Sequence, residues 1–124
     1  MVARLRPLRA DELSPLLSRL DAAEAAGVAA SHDDIRAAVK HFLAVLTQRF
    51  PGRSVEVRVP PYAAVQCIEG ASHTRGTPPA VVETDAETWL QLARGRLNFA
   101  EACESRRVRA SGERSDLTGQ LPLT

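Results

Sequence analysis

Apolar residues recur along the chain with two periods, and each switch of period marks a new element. Leu13, Leu16, Leu17 and Leu20 fall three and four apart, which predicts a helix from Asp11 or Ser14 to Gly27. Ser14-Pro15 suits an N-cap and first helical position, and Gly27 suits the residue after the last turn. Ile35, Val39, Phe42, Leu43, Leu46 and Phe50 share one arc of a second helix, about 100° wide at helical pitch. Ser31 caps that helix, Asp34 stands at capping-box spacing, and Pro51-Gly52 stops it. On the same wheel His41 points away from the apolar arc, toward solvent.

The pattern then alternates. Val55, Val57 and Val59 against Glu56 and Arg58 predict a half-buried strand over 54–59. A second run, 62–69, carries small or apolar residues on both faces, as an inner strand covered from two sides would. A third strand is expected over 80–83 and a fourth over 108–111, and the short connections suggest an antiparallel meander. Between the second and fourth strands the helical period returns. Thr84 or Asp85 caps 86–94, with Trp89, Leu90, Leu92 and Ala93 on its apolar side and Gly95 after it. Asn98 caps a short helix from Phe99 to about Ser105. Leu117, Leu121 and Leu123 are placed to fold a tail onto the core. Residues 1–30 read as an N-terminal arm and helix, and 31–124 as the main body of a single α+β domain.

Composition narrows the function classes. The 124 residues carry a net charge of +1, too small for a general nucleic-acid footprint. Of the 16 basic residues 15 are Arg, which beside abundant Ala reads as coding bias rather than as design for phosphate. Arg4, Arg6 and Arg9 give a loosely held basic arm that would neutralise too few phosphates for firm binding. No apolar run approaches the roughly 18 residues of a membrane span, and no secretory h-region is seen, so a cytoplasmic location is expected. Cys67 and Cys103 belong to no metal spacing and read first as small buried hydrophobes, with a disulfide or a reactive thiol as the alternative. His32 and His41 share no face, so neither a metal site nor a cofactor is expected.

The segment with the most chemistry is Pro60 to Pro79, PPYAAVQCIEGASHTRGTPP, bounded by a diproline at each end. His73, Thr74 and Arg75 lie in its polar loop. An imidazole can move protons and a guanidinium can grip a carboxylate or phosphate, yet one His and one Arg are no triad. A structural role for Arg75, pairing with a nearby acid or backbone carbonyls, explains it as well.

The segment Glu83 to Gly112 resembles the sterol carrier protein superfamily. Its ordered pieces are Thr84-Asp85, the apolar run Trp89 to Leu92, Gly95-Arg96-Leu97, Ala102, and Val108 to Gly112. SVEVRVPPYAAVQC with HTRGTPPAVVETD resembles a narrower branch, the bacterial sterol-carrier-like orthologues of actinobacteria, over about 33–123. The resemblance implies an antiparallel-rich sheet of four to five strands with helices on one face, any fifth strand coming from 72–75. It also implies a hydrophobic tunnel between sheet and helices in lipid-binding relatives. One departure bears on the short helix: relatives tend to carry Gly where Arg106 or Arg107 stands.

Three functions follow as expectations. The first is non-enzymatic binding or carriage of an apolar or amphipathic small molecule, fatty-acyl or lipid-like, lined by Val65, Cys67, Trp89, Leu92 and Phe99. The same residues also read as ordinary core. The second is an interaction or oligomerisation module, such as a homodimer, with no ligand of its own. The third is anion binding or catalysis at His73, Thr74 and Arg75, near a pocket mouth.

Overall fold

The computed structural model describes residues 4–70, 79–112 and 115–124. In chain order these form α1 (Ala10–Ala26), α2 (His32–Arg49), β1 (Val55–Val59), β2 (Ala63–Cys67), β3 (Ala80–Thr84), α3 (Ala86–Ala93), α4 (Phe99–Glu104) and β4 (Val108–Ser111). The sheet order is β2-β1-β3-β4. The α+β class, the four strands and the helix-covered face agree with the sequence reading.

Two expectations about the sheet are corrected. β1 pairs antiparallel with β2 but parallel with β3, Val57 facing Val65 on one side and Val82 on the other, so the strands do not form a simple meander. The other two pairings, β1–β2 and β3–β4, are antiparallel, so the sheet is antiparallel-rich as expected. In consequence β2 is an edge strand among the described residues, and β1 and β3 are the inner ones. Its small residues therefore do not mark an inner strand: Ala64 and Gln66 lie half-buried on the open face. At the β1–β2 corner the Tyr62 N–H donates to the Val59 carbonyl at 2.9 Å, and the Pro60–Pro61 peptide is cis.

The sheet buries one face. Val55, Val57, Val59, Val65, Cys67 and Val82 are at most 1% exposed, while Glu56, Arg58, Glu83 and Arg109 occupy the opposite, open face. There Arg109 bonds Glu83 at 3.1 Å and Arg58 pairs with Glu56. α2 and α3 lie on the buried face, with Phe42, Leu43, Leu46, Trp89 and Leu92 closing one continuous core. Leu117 and Leu123 join it from the tail, the Leu123 N–H donating to the Ala93 carbonyl at 2.8 Å. Where the chain leaves α2, Gly52 passes so close to Ile68 that a Cβ would lie 2.2 Å from its carbonyl carbon, which excludes any other residue there.

α1 forms a further layer. It starts at Ala10, next to the earlier of the two expected starts, Asp11, and not at Ser14, so Pro15 sits inside the helix. Glu12 sets the earlier start by accepting from the Arg9 N–H at 3.2 Å. Leu16 and Leu20 bury against Ala38 on the side of α2 turned away from the sheet. α2 is consequently buried nearly all round, and this corrects the placement of His41. The residue is 5% exposed, because the segment before α1 crosses it: the Leu8 N–H donates to His41 Nδ1 at 2.9 Å. The arm is thus held, with Leu5 packed on the main core and Leu8 on the α1 seam.

Candidate functional site: a groove between the added helix and the body

The local chemistry of three helix ends sets the walls of a groove. α1 ends at Gly27, which takes the left-handed conformation at φ 68° and turns the chain through Val28–Ala30. Ser31 Oγ then accepts from the Asp34 N–H at 3.1 Å and starts α2. The Asp34 carboxylate does not complete a capping box; it grips Arg19 of α1 through bonds of 3.0 and 3.1 Å. Arg19 holds the Asp34 carboxyl below its ordinary range. On the third wall Asp85 caps α3, accepting from the Thr88 N–H at 2.8 Å, while Thr84 Oγ1 donates instead to the Arg107 carbonyl.

Between these walls lies a cavity of about 450 Å³. Its floor is apolar: Leu20 and Ala23 of α1, Val28–Ala30, Ile35 of α2, and Ala86 and Leu90 of α3. Val28 is the one large apolar side chain that is exposed among the described residues, at 61%. Glu24, Glu87, Gln91, Arg94 and Arg96 form the polar rim. Arg94 binds Asp21 with both terminal nitrogens, at 2.9 and 3.2 Å, and Arg96 binds Glu24 at 2.8 Å and Asp21 at 3.2 Å. The Arg94 hydrogen bond, joined by Arg96 and opposed by burial, holds Asp21 below its ordinary pKa. These ion pairs fasten α1 to the α3 end, and Arg19–Asp34 fastens it to α2.

The residues expected to line a ligand site fall elsewhere. Val65, Cys67, Trp89, Leu92 and Phe99 are brought together, but within the main core. Leu92 and Phe99 also line a smaller cavity of about 180 Å³ beside Leu121 and Pro122, below the size usual for small-molecule sites. Trp89 points inward, its Nε1–H donating to the Val39 carbonyl at 3.3 Å. His73, Thr74 and Arg75 lie outside the described residues, as does a fifth strand over 72–75. Burial pushes the Cys67 thiol up to about 12, and burial with the nearby Asp116 carboxylate raises that of Cys103, so both are protonated at neutral pH. Among the described residues no group of three or more His, Cys, Asp or Glu is arranged to hold a metal ion. None of their helices is long and apolar enough to cross a membrane.

Sequence reasoning found Leu20, Ile35 and Leu90 as members of apolar stripes but did not bring them together. The missed residues are Ala23, Val28 and the rim. Their one sequence signal was the small apolar run Val28-Ala29-Ala30 between two helices, too short to read alone.

The profile of a family described as bacterial SCP ortholog matches residues 31–123, three quarters of the chain, and the chain belongs to that family. A search of curated proteins gave no match. The match begins at the cap of α2, so α1 and the α1 wall of the groove precede it.

Proposed function

We propose, with that family membership as premise, that the protein binds and carries an apolar or amphipathic small molecule without chemically changing it, and that the ligand lies in the groove between α1 and α3. The observation that carries this reading is the groove itself: about 450 Å³ of space over an apolar floor, continuous with exposed Val28. That volume falls within the range usual for small-molecule sites. Burying ten methylenes there would contribute about 8 kcal/mol before ordering costs, so affinities weaker than micromolar are expected. The rim supports binding rather than turnover, because the Asp21, Glu24, Arg94 and Arg96 charges are engaged with one another.

Calorimetric titration of delipidated protein with a dodecyl amphiphile tests the reading. Saturable one-to-one binding is expected, and Ala23→Trp, which fills the floor from the half-buried side of α1, is expected to abolish it without lowering Tm by more than a few degrees. Absence of saturable binding, or binding that survives Ala23→Trp, sinks the groove reading. A second reading, self-association, is favoured by β4, which pairs only with β3 among the described residues and leaves Arg109–Ser111 exposed. A monomeric mass that does not change with concentration removes it.

A further inference from the structure

The groove's charges are unevenly compensated, and the unevenness bears on which head group it accepts. Along α3, Glu87 and Arg94 are seven residues apart, so they stand on one face about 10 Å from each other with Leu90 between them. At the Arg94 end every cation already has a carboxylate: Asp21 bridges Arg94 and Arg96, and Glu24 takes the other face of Arg96. The two positive and two negative charges cancel there. At the other end Glu87 is exposed, lines the groove, and makes no hydrogen bond or ion pair within the described residues. The amino end of α3 offsets part of its charge, and Arg107, which bonds Thr88 Oγ1 and Gln91 Oε1 and has no carboxylate partner among the described residues, brings one cation to this side of α3. Asp85, also exposed, adds a second carboxylate at the same helix end, so two carboxylates there face one cation. Across the α2 wall, Asp34 is neutralised by Arg19 and Asp33 by Arg36.

Resting on the groove reading above, we infer that the ligand is an amphiphile whose head is cationic, an amine or quaternary ammonium, seated at Glu87 with its apolar part over Leu90, Ile35 and Leu20. A carboxylate head gains little from this rim, since the one cation there without a carboxylate, Arg107, is engaged with Thr88 and Gln91. To reach Arg94 or Arg96 it must displace Asp21 or Glu24, which breaks the ion pairs that hold α1 in place. To sit at the other end it must face Glu87. An ammonium head meets neither obstacle, and an aliphatic stem of the same length serves either head equally.

Three probes of one chain length separate head from tail: dodecyltrimethylammonium, dodecanol and dodecanoate, each titrated below its micellar concentration. The ammonium is expected to bind about fivefold more tightly than dodecanoate at low salt, with dodecanol between them and the difference shrinking as salt is added. Glu87→Gln, at an exposed position, is expected to bring ammonium and dodecanol to the same affinity. Tighter binding of dodecanoate, equal binding of all three, or an ammonium preference unchanged in Glu87→Gln overturns the head-group inference while leaving the groove reading in place. Failure of all three probes to bind overturns both.

Discussion

The body over 31–123 and the layer before it solve the problem of burying apolar surface differently. In the body, α2 and α3 lie on a sheet whose inner valines are essentially unexposed, and bulky residues such as Phe42 and Trp89 fill the interval. In the layer, α1 meets α2 through a seam in which Leu16, Leu20 and Ala38 are buried and Leu8, Leu17, Ala37 and Leu90 pack around them, and ion pairs add to the attachment. The cavity of about 450 Å³ lies where the layer meets α3.

The sharpest way to break this contrast is to truncate one side chain in each region. Phe42→Ala removes a side chain 1% exposed in the continuous core and is expected to cost about 3–5 kcal/mol in denaturant unfolding. Leu16→Ala, at 2% exposure in the seam, is expected to cost about 2 kcal/mol, at the low end for a buried leucine, because α1 can settle toward the groove. Equal losses would mean that α1 is as deeply integrated as α2, and the two-region description would fall.

His41 sharpens the comparison from the other direction, since it joins the two regions through a buried hydrogen bond. Its Nδ1 accepts from the Leu8 N–H, which requires the neutral ring. Burial lowers its pKa below the ordinary 6.5. The unfolded chain therefore takes up this proton first, so His41's contribution is fully present above about pH 6.5. It declines as pH falls from there toward the folded pKa. Melting temperature is expected to fall between pH 7.5 and 5, and His41→Asn, which can still offer an acceptor to Leu8, is expected to flatten that slope. The lowered carboxyl pKa of Asp21 acts only further down: its stabilisation is present above its ordinary 3.8 and is lost as pH falls through the lower folded value. An unchanged slope in His41→Asn would detach the arm from this account.

Local features of the fold were legible in the sequence. Ser31, Asp85 and Asn98 are caps because a short side-chain oxygen beside an apolar helical run has few better partners than the free N–H groups of the first turn. The alternation of Val55 to Val59 likewise named the buried face of β1. The parallel β1–β3 ladder was not legible, because strand direction depends on how the chain returns and not on the residues of either strand. Nor was the burial of His41, which depends on Leu8, 33 positions away. The groove was the least legible: its rim joins Asp21 and Glu24 to Arg94 and Arg96 across more than 70 residues. Apolar stripes announce that residues will be buried; whether two stripes meet or leave a gap is decided by the helices' placement.

The smallest expected effect concerns how helices end in the two regions. α1 in the layer and α3 in the body close with the same pair of backbone bonds, around Gly27 and Gly95 in the left-handed conformation. α4 closes the same way: the Arg106 N–H donates to the Cys103 carbonyl at 3.1 Å and the Arg107 N–H to that of Ala102 at 2.9 Å. Here, however, the left-handed residue is Arg106, at φ 64°, one of the two positions at which the resemblance puts a glycine in relatives. A side chain at that φ costs about 1–2 kcal/mol, and glycine's greater freedom when unfolded returns part of it. Arg106→Gly is therefore expected to stabilise the protein by about 0.5–1 kcal/mol, read as a higher denaturant midpoint with an unchanged slope. Arg106 is exposed, whereas its neighbour Arg107 bonds Thr88 Oγ1 and Gln91 Oε1 on α3, so the substitution leaves that link intact. A loss of stability instead would show that the Arg106 side chain holds a contact worth more than the backbone strain. The body would then owe its C-terminal strand to that contact rather than to the turn.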